Sequence, residues 1–306
     1  MKIGSDAHKE LFCRTFFDQH RPYEPEQLKW PVLDEPALAL LRGLPFWTHA
    51  LQAEEDAEPM ISACAALEPD RTIRQALELQ AFEEAWHARI IKHMIELYRL
   101  PLGEIRVEIP ADVLDAFINF GFEECLDSFG AFGLFKLGRE HLDMPTELFD
   151  IFDRVMQEEA NHIVFFLNWF AYRQATAGAL PRVFRHPKAL KHYLRALRKL
   201  AGVALSDDAP EGKDFVISGA DAFVDNLTPA AVLAASLDEN TRRLAGFDRR
   251  LLVPRLVPRL ARLALAVLSA LPHRGRRAGS QHAARSTTAG GRTADAHDRS
   301  GQAGSV

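Results

Sequence analysis

Two five-residue stretches, Glu83-Glu84-Ala85-Trp86-His87 and Glu158-Glu159-Ala160-Asn161-His162, each set a carboxylate three residues before an imidazole. Both lie where apolar residues recur at helical spacing, and on a helix positions i and i+3 share a face. Glu84 with His87, and Glu159 with His162, can therefore each grip one metal ion. The copies keep a constant offset of 75 residues at both the Glu and the His. The flanks follow it too, as Ile73/Leu148, Ala76/Ile151, Leu77/Phe152, Ile90/Phe165, Ile91/Phe166 and Met94/Trp169. The repeated unit is thus a whole amphipathic helix, and the two copies are equivalent helices of one bundle.

A chain of 306 residues can bury a large core, and a net charge of −5 argues against nucleic acid as the main partner. Its three cysteines, Cys13, Cys64 and Cys125, are an odd number at unrelated spacings, which reads as free thiols in a reducing compartment. Met1-Lys2-Ile3-Gly4-Ser5-Asp6 leads into mixed polar sequence without an apolar run, so no signal peptide is expected and the cytoplasm is the expected location.

Residues 1–45 carry Phe12, Phe16, Phe17, Tyr23 and Trp30 among prolines and acids, which predicts one short helix and an irregular arm wrapped on the bundle. A helix follows from Phe46 to Leu67, with a kink or break expected at Pro59. Glu68-Pro69-Asp70 ends it, and Asp70 can cap the next helix. So short a turn makes the two helices antiparallel neighbours. Counting equal steps from Pro69 brings Glu54 level with Glu84, so Glu54 is the first choice for a further ligand, with Glu55 and Glu58 in reserve. Taken alone, the acids from Glu54 to Glu58 would read as a solvated face.

The second helix runs to about Arg99. Leu100 to Pro110, with Pro101, Gly103 and an alternating Ile105-Arg106-Val107-Glu108-Ile109, reads as extended, and at ~3.3 Å per residue it spans roughly 40 Å, the length of a bundle. A third helix, Ala111 to Leu142, holds Glu123, Glu124 and Asp127 in a setting rich in Phe, Leu and Gly, where acids need a reason. Gly121, Gly130 and Gly133 on it permit close approach by a neighbour. After Met144-Pro145-Thr146, with Thr146 as the expected cap, the fourth helix carries Glu159 and His162 to about Gln174. Reflection through that turn sets Glu159 level with position 128, nearer Asp127 than Glu124. Glu124 is assigned to the metal for its longer reach and Asp127 to a supporting bond on a ligating His, with the reverse assignment open.

Residues 177–272 predict additional helices. Leu251 to Leu271 is apolar but carries Arg255, Arg259, Arg262 and two prolines, which argues for a surface helix, with membrane-interface binding the minor option, and against a transmembrane span. The stretch 273–306 is Arg, Gly, Ser, Thr and Ala without periodicity, a composition that predicts disorder.

The chain thus reads as all-α, with the order acid, Glu-x-x-His, crossover, acid, Glu-x-x-His over residues 46–176. This resembles the ferritin-like di-iron carboxylate superfamily, a four-helix bundle with a crossover connection. The resemblance implies that Glu84 and Glu159 bridge two irons, that Glu54 and Glu124 are terminal carboxylates, and that His87 and His162 bind one metal each. An iron pair, or manganese with iron, would use dioxygen as co-substrate. Four carboxylates against two divalent ions make a neutral site, which an apolar bundle can bury.

Three functions remain open. An oxidase or oxygenase acting on a small, apolar organic substrate leads, because the elements outside the bundle can shape a pocket or dock an electron-donor protein. A ferroxidase-type iron-binding protein without organic substrate is the second, and a non-catalytic helical interaction protein the third. The rubrerythrin type is disfavoured because no Cys-x-x-Cys pair is present. The Phe-rich faces read as core or as the lining of a substrate channel, and the protein is expected as a monomer or homodimer. Tyr98 and Tyr172 lie a turn or more beyond their histidines.

Overall fold

The computed structural model describes residues 1–44, 46–177, 190–196, 198 and 228–270, and among them the regular secondary structure is all helical. The elements are α1 (Asp6–Gln19), α2 (Glu35–Gly43), α3 (Trp47–Leu67), α4 (Arg71–Tyr98), α5 (Val113–His141), α6 (Thr146–Thr176), α7 (Pro229–Leu244) and α8 (Leu256–Ala270). Met1–Ser269 form one compact unit. The expectation of disorder beyond 273 lies outside the described residues, as do most positions between 178 and 227.

Local chemistry sets the helix ends. Ser5, Asp34, Asp70, Asp112 and Thr228 each accept a hydrogen bond from a first-turn amide, satisfying donors that the helix itself leaves unpaired. Arg99 closes α4 in the left-handed region at φ 54°. Two expectations need correction. Thr146 is the first residue of α6, behind Pro145, so it does not cap by its side chain. Of the kink or break expected at Pro59, the break does not occur, since α3 runs on as helix to Leu67.

The α3–α4 pair and α5–α6 pair enclose an aromatic core in which Phe117, Phe122, Phe132, Phe165, Phe166 and Trp169 are fully buried. Edge-to-face contacts order it, as between Phe122 and Phe166 and between Phe117 and Trp169. Gly121 makes room for the Phe166 ring, and Gly133 lets the backbone of Ser236 on α7 close against α5; a Cβ at either glycine would collide. The extended stretch after α4 is tied to α3, with the Gly103 amide donating to Thr48 Oγ1 (2.7 Å) and Gln52 bonding both backbone groups of Arg106.

The N-terminal arm is more ordered than its sequence suggests. Phe12 and Phe16 of α1 bury against Phe165 of α6. An additional helix, α2, places Leu41 in a second cluster with Trp47, Ile91, Met94 and Tyr98. His8 is fully buried, with its Nε2 3.0 Å from Asn168 Oδ1, and Asn168 also bonds the backbone of Leu252 in both senses. Arg243 on α7 is enclosed over the rings of Phe132 and Phe135 and pairs with Asp153 (2.6 Å) and Glu239 (2.8 Å). No described helix is long and apolar enough to cross a membrane.

Candidate metal centre

Four central helices bring six side chains to one point. Glu54 comes from α3, Glu84 and His87 from α4, Glu124 from α5, and Glu159 and His162 from α6. Their candidate ligand atoms fall into two groups, Glu54–Glu84–His87–Glu159 and Glu84–Glu124–Glu159–His162, in each of which the atoms lie within 4.8 Å of one another. Glu84 and Glu159 belong to both. His87 Nδ1 faces Glu159 Oε1 at 3.2 Å, Glu84 Oε2 at 3.5 Å and Glu54 Oε2 at 3.6 Å. His162 Nδ1 faces Glu84 Oε1 at 3.2 Å, Glu159 Oε2 at 3.6 Å and Glu124 Oε1 at 3.8 Å. Both rings are fully buried.

The fit to a metal shows in the atoms left over. His87 Nδ1, His162 Nδ1 and Glu124 Oε2 are buried without a hydrogen-bond partner, although nearly every buried polar atom in a folded protein has one. The two ring nitrogens face the carboxylates of the cluster. This buried Glu/His cluster could hold a metal ion, and it supplies oxygen and imidazole donors of the kind that divalent iron, manganese or zinc accept.

The electrostatics point the same way. Burial alone would raise both buried carboxylates Glu84 and Glu159. At Glu84 the neighbouring imidazoles, His162 first and then His87, outweigh it and hold the acid at about 2; at Glu159 the same two imidazoles hold it well below its ordinary range. Burial prevails at Glu54, pushed up to about 8, and at Glu124, raised well above its ordinary range with the Glu159 charge adding to the effect. Burial opposes charge on the two rings, yet the surrounding carboxylates, led by Glu158 at His87 and Glu84 at His162, raise both. These directions favour the protonated form at His87, His162, Glu54 and Glu124 and the ionised form at Glu84 and Glu159. A cation binding there would compete with those protons.

The far side of each ring reveals an exchange between the two repeats. His87 Nε2 lies 2.9 Å from Glu158 Oε2, and His162 Nε2 lies 2.9 Å from Glu83 Oε2. The first Glu of each motif thus orients the His of the other, fixing the ring so that Nδ1 points into the cluster. The arm supports both acids, with His20 Nδ1 2.6 Å from Glu83 Oε1 and the Tyr23 hydroxyl donating to Glu158 Oε2 at 3.0 Å. A cleft of about 60 Å³ beside them is lined by His20, Tyr23, Phe82, Glu83, Trp86 and Glu158, among others.

All six expected ligands meet here. Glu55 instead pairs with Lys92 and Glu58 accepts from Ser62. Asp127 lies on the exposed side of α5, and the supporting role expected of it is filled at both rings by Glu83 and Glu158. The sequence reading did not single out these two acids, although Glu83 and Glu158 repeat at the same 75-residue offset as the expected ligands. For His20 and Tyr23 the sequence carries no such signal. Tyr98 donates to the Pro31 carbonyl, and Tyr172 packs near His8 and Phe12, so neither reaches the cluster. The chain matches no family model, curated protein or solved structure.

Proposed function

We propose that this protein is a di-iron carboxylate oxidoreductase of the ferritin-like kind, which uses dioxygen to oxidise a small apolar organic molecule. The observation that carries the reading is the pair of ligand groups sharing Glu84 and Glu159, with an unpartnered imidazole nitrogen facing each group. The order of the ligands along the chain, and the extended segment joining α4 to α5, support the ferritin-like arrangement.

In this reading Glu84 and Glu159, common to both groups, would hold the metal together with Glu54 and His87 on one side and Glu124 and His162 on the other. Iron bound there would supply the electrons and open coordination positions that dioxygen chemistry needs. The chain's own residues do the rest. Glu83 and Glu158 hold the Nε2 protons of the two rings and keep Nδ1 free for metal. Phe16 and Phe165, stacked beside His162, exclude water from that side.

Metal content per chain after ferrous loading, followed by the optical spectrum on exposure to air, tests the reading. About two irons per chain and a new near-ultraviolet band are expected. Absence of both would remove the metal reading. Glu159→Ala should abolish loading of both positions while the helices remain, because that side chain belongs to both groups. A ferroxidase without organic substrate is the second reading, favoured by the small cleft beside Glu83 and Glu158, which has room for a few waters. Iron-dependent oxygen consumption with no organic substrate present would support it.

A further inference from the structure

The end of α8 presents a surface that the metal centre does not explain. Its packing face is Val257, Pro258 and Ala261, all buried, and beyond Ala261 no described residue of the helix is buried. Leu268 lies seven residues past Ala261, on the same side, yet is 36% exposed. The helix therefore continues past its support. Leu260 is 44% exposed, Leu263 63% and Val267 53%, forming with Leu256 one row at i, i+4, i+7 and i+11. Arg255, Arg259 and Arg262 form a parallel row one position earlier, all exposed.

The charge distribution says what such a helix would meet. The chain as a whole is acidic at −5, yet from Arg249 to Ala294 its sequence has ten arginines and no Asp or Glu. In an α8-to-α8 contact a second copy of this chain would bring the same arginine row and so repel. Leu263 and Leu268 also point roughly 140° apart around the axis, too wide for one flat protein face and suited to a helix end sunk into a soft apolar medium. The apolar run is too short to cross a bilayer. We propose that α8 is a membrane-surface anchor whose partner is a bilayer carrying anionic lipid. Its leucines and Val267 enter the boundary between headgroups and acyl chains, while Arg255, Arg259 and Arg262 meet lipid phosphates. This inference is independent of the metal reading.

Flotation of the full chain with phosphatidylcholine vesicles, with and without phosphatidylglycerol, tests it. Partition should be roughly tenfold or more stronger onto the anionic vesicles and should weaken with added salt. A triple Arg255→Gln, Arg259→Gln, Arg262→Gln variant should lose that preference. A Leu263→Gln, Val267→Gln, Leu268→Gln variant should lose binding altogether. All six side chains are exposed, so circular dichroism and the melting midpoint should stay as in the parent. No flotation, or equal flotation of parent and both variants, overturns the proposal. So does salt-insensitive self-association of the parent, without vesicle binding, that the leucine variant abolishes, since a second copy would then be the occupant.

Discussion

Glu83 and Glu158 offer the sharpest single-residue experiment, because a Glu→Gln change preserves shape while removing the charge that holds an imidazole proton. Each should lower metal affinity by about 10- to 100-fold in a competitive chelator titration, and by similar factors since the repeats are equivalent. Unchanged affinity in both variants would mean that the 2.9 Å bonds to His162 and His87 do not govern the rings. His8 gives a prediction in pH. Burial lowers its pKa below the ordinary value, so between that lowered value and about 6.5 the unfolded chain binds more protons than the folded one. Stability present above pH ~6.5 should then be lost as pH falls, and His8→Gln should flatten that part of a melting-point profile. If the profile keeps its slope in the variant, another group is responsible.

At the scale of elements, α7 is held to the bundle by two unlike devices. Gly133 allows the α5 backbone to meet Ser236, and Arg243 inserts a guanidinium between Asp153, Glu239 and two phenylalanine rings. Gly133→Ala gains helix propensity of up to about 1 kcal/mol but must push the Ser236 backbone away, an overpacking cost of about 1–3 kcal/mol, so denaturant titration should show net destabilisation. Arg243→Ala should cost about 3 kcal/mol, at the lower end for breaking a buried pair because Asp153 is partly exposed. A neutral result at Arg243 would show that α7 is held by its apolar contacts. The helices themselves were largely legible in sequence, since α3 through α6 begin and end within a few residues of their capping and turn signals. The exceptions have local causes: Pro145 precedes the first turn where Thr146 reads as a cap, and α2 is too short for its period to stand out.

For the whole molecule, a metal held by the four carboxylates of the proposed centre would couple its binding to the fold. A cation that binds only the folded chain should raise its stability by about 2.7 kcal/mol at a concentration a hundred times its dissociation constant. Chelation followed by thermal melting should therefore lower the midpoint of metal-loaded protein, and an unchanged midpoint would count against the site. The three buried cysteines should take no part: burial pushes Cys13 up to about 12 and Cys64 to about 11, and raises Cys125 as well, leaving all three unreactive thiols in the folded chain.

The sequence by itself determined the helical class and four of the six side chains that converge, Glu84, His87, Glu159 and His162, because a period of 3.6 residues and a 75-residue offset are properties of the chain read in one dimension. It left Glu54 against Glu55 and Glu124 against Asp127 open, since neighbours one or three positions apart differ only in which way a helix is turned. Tertiary packing decided that rotation, sending Glu55 to Lys92 and Asp127 to the exposed side. It also decided the crossed pairing of Glu83 with His162 and Glu158 with His87, and the approach of His20 and Tyr23 from an arm more than sixty residues away. Contacts between distant segments depend on how helices are placed against one another, and that placement is a sum over the whole core.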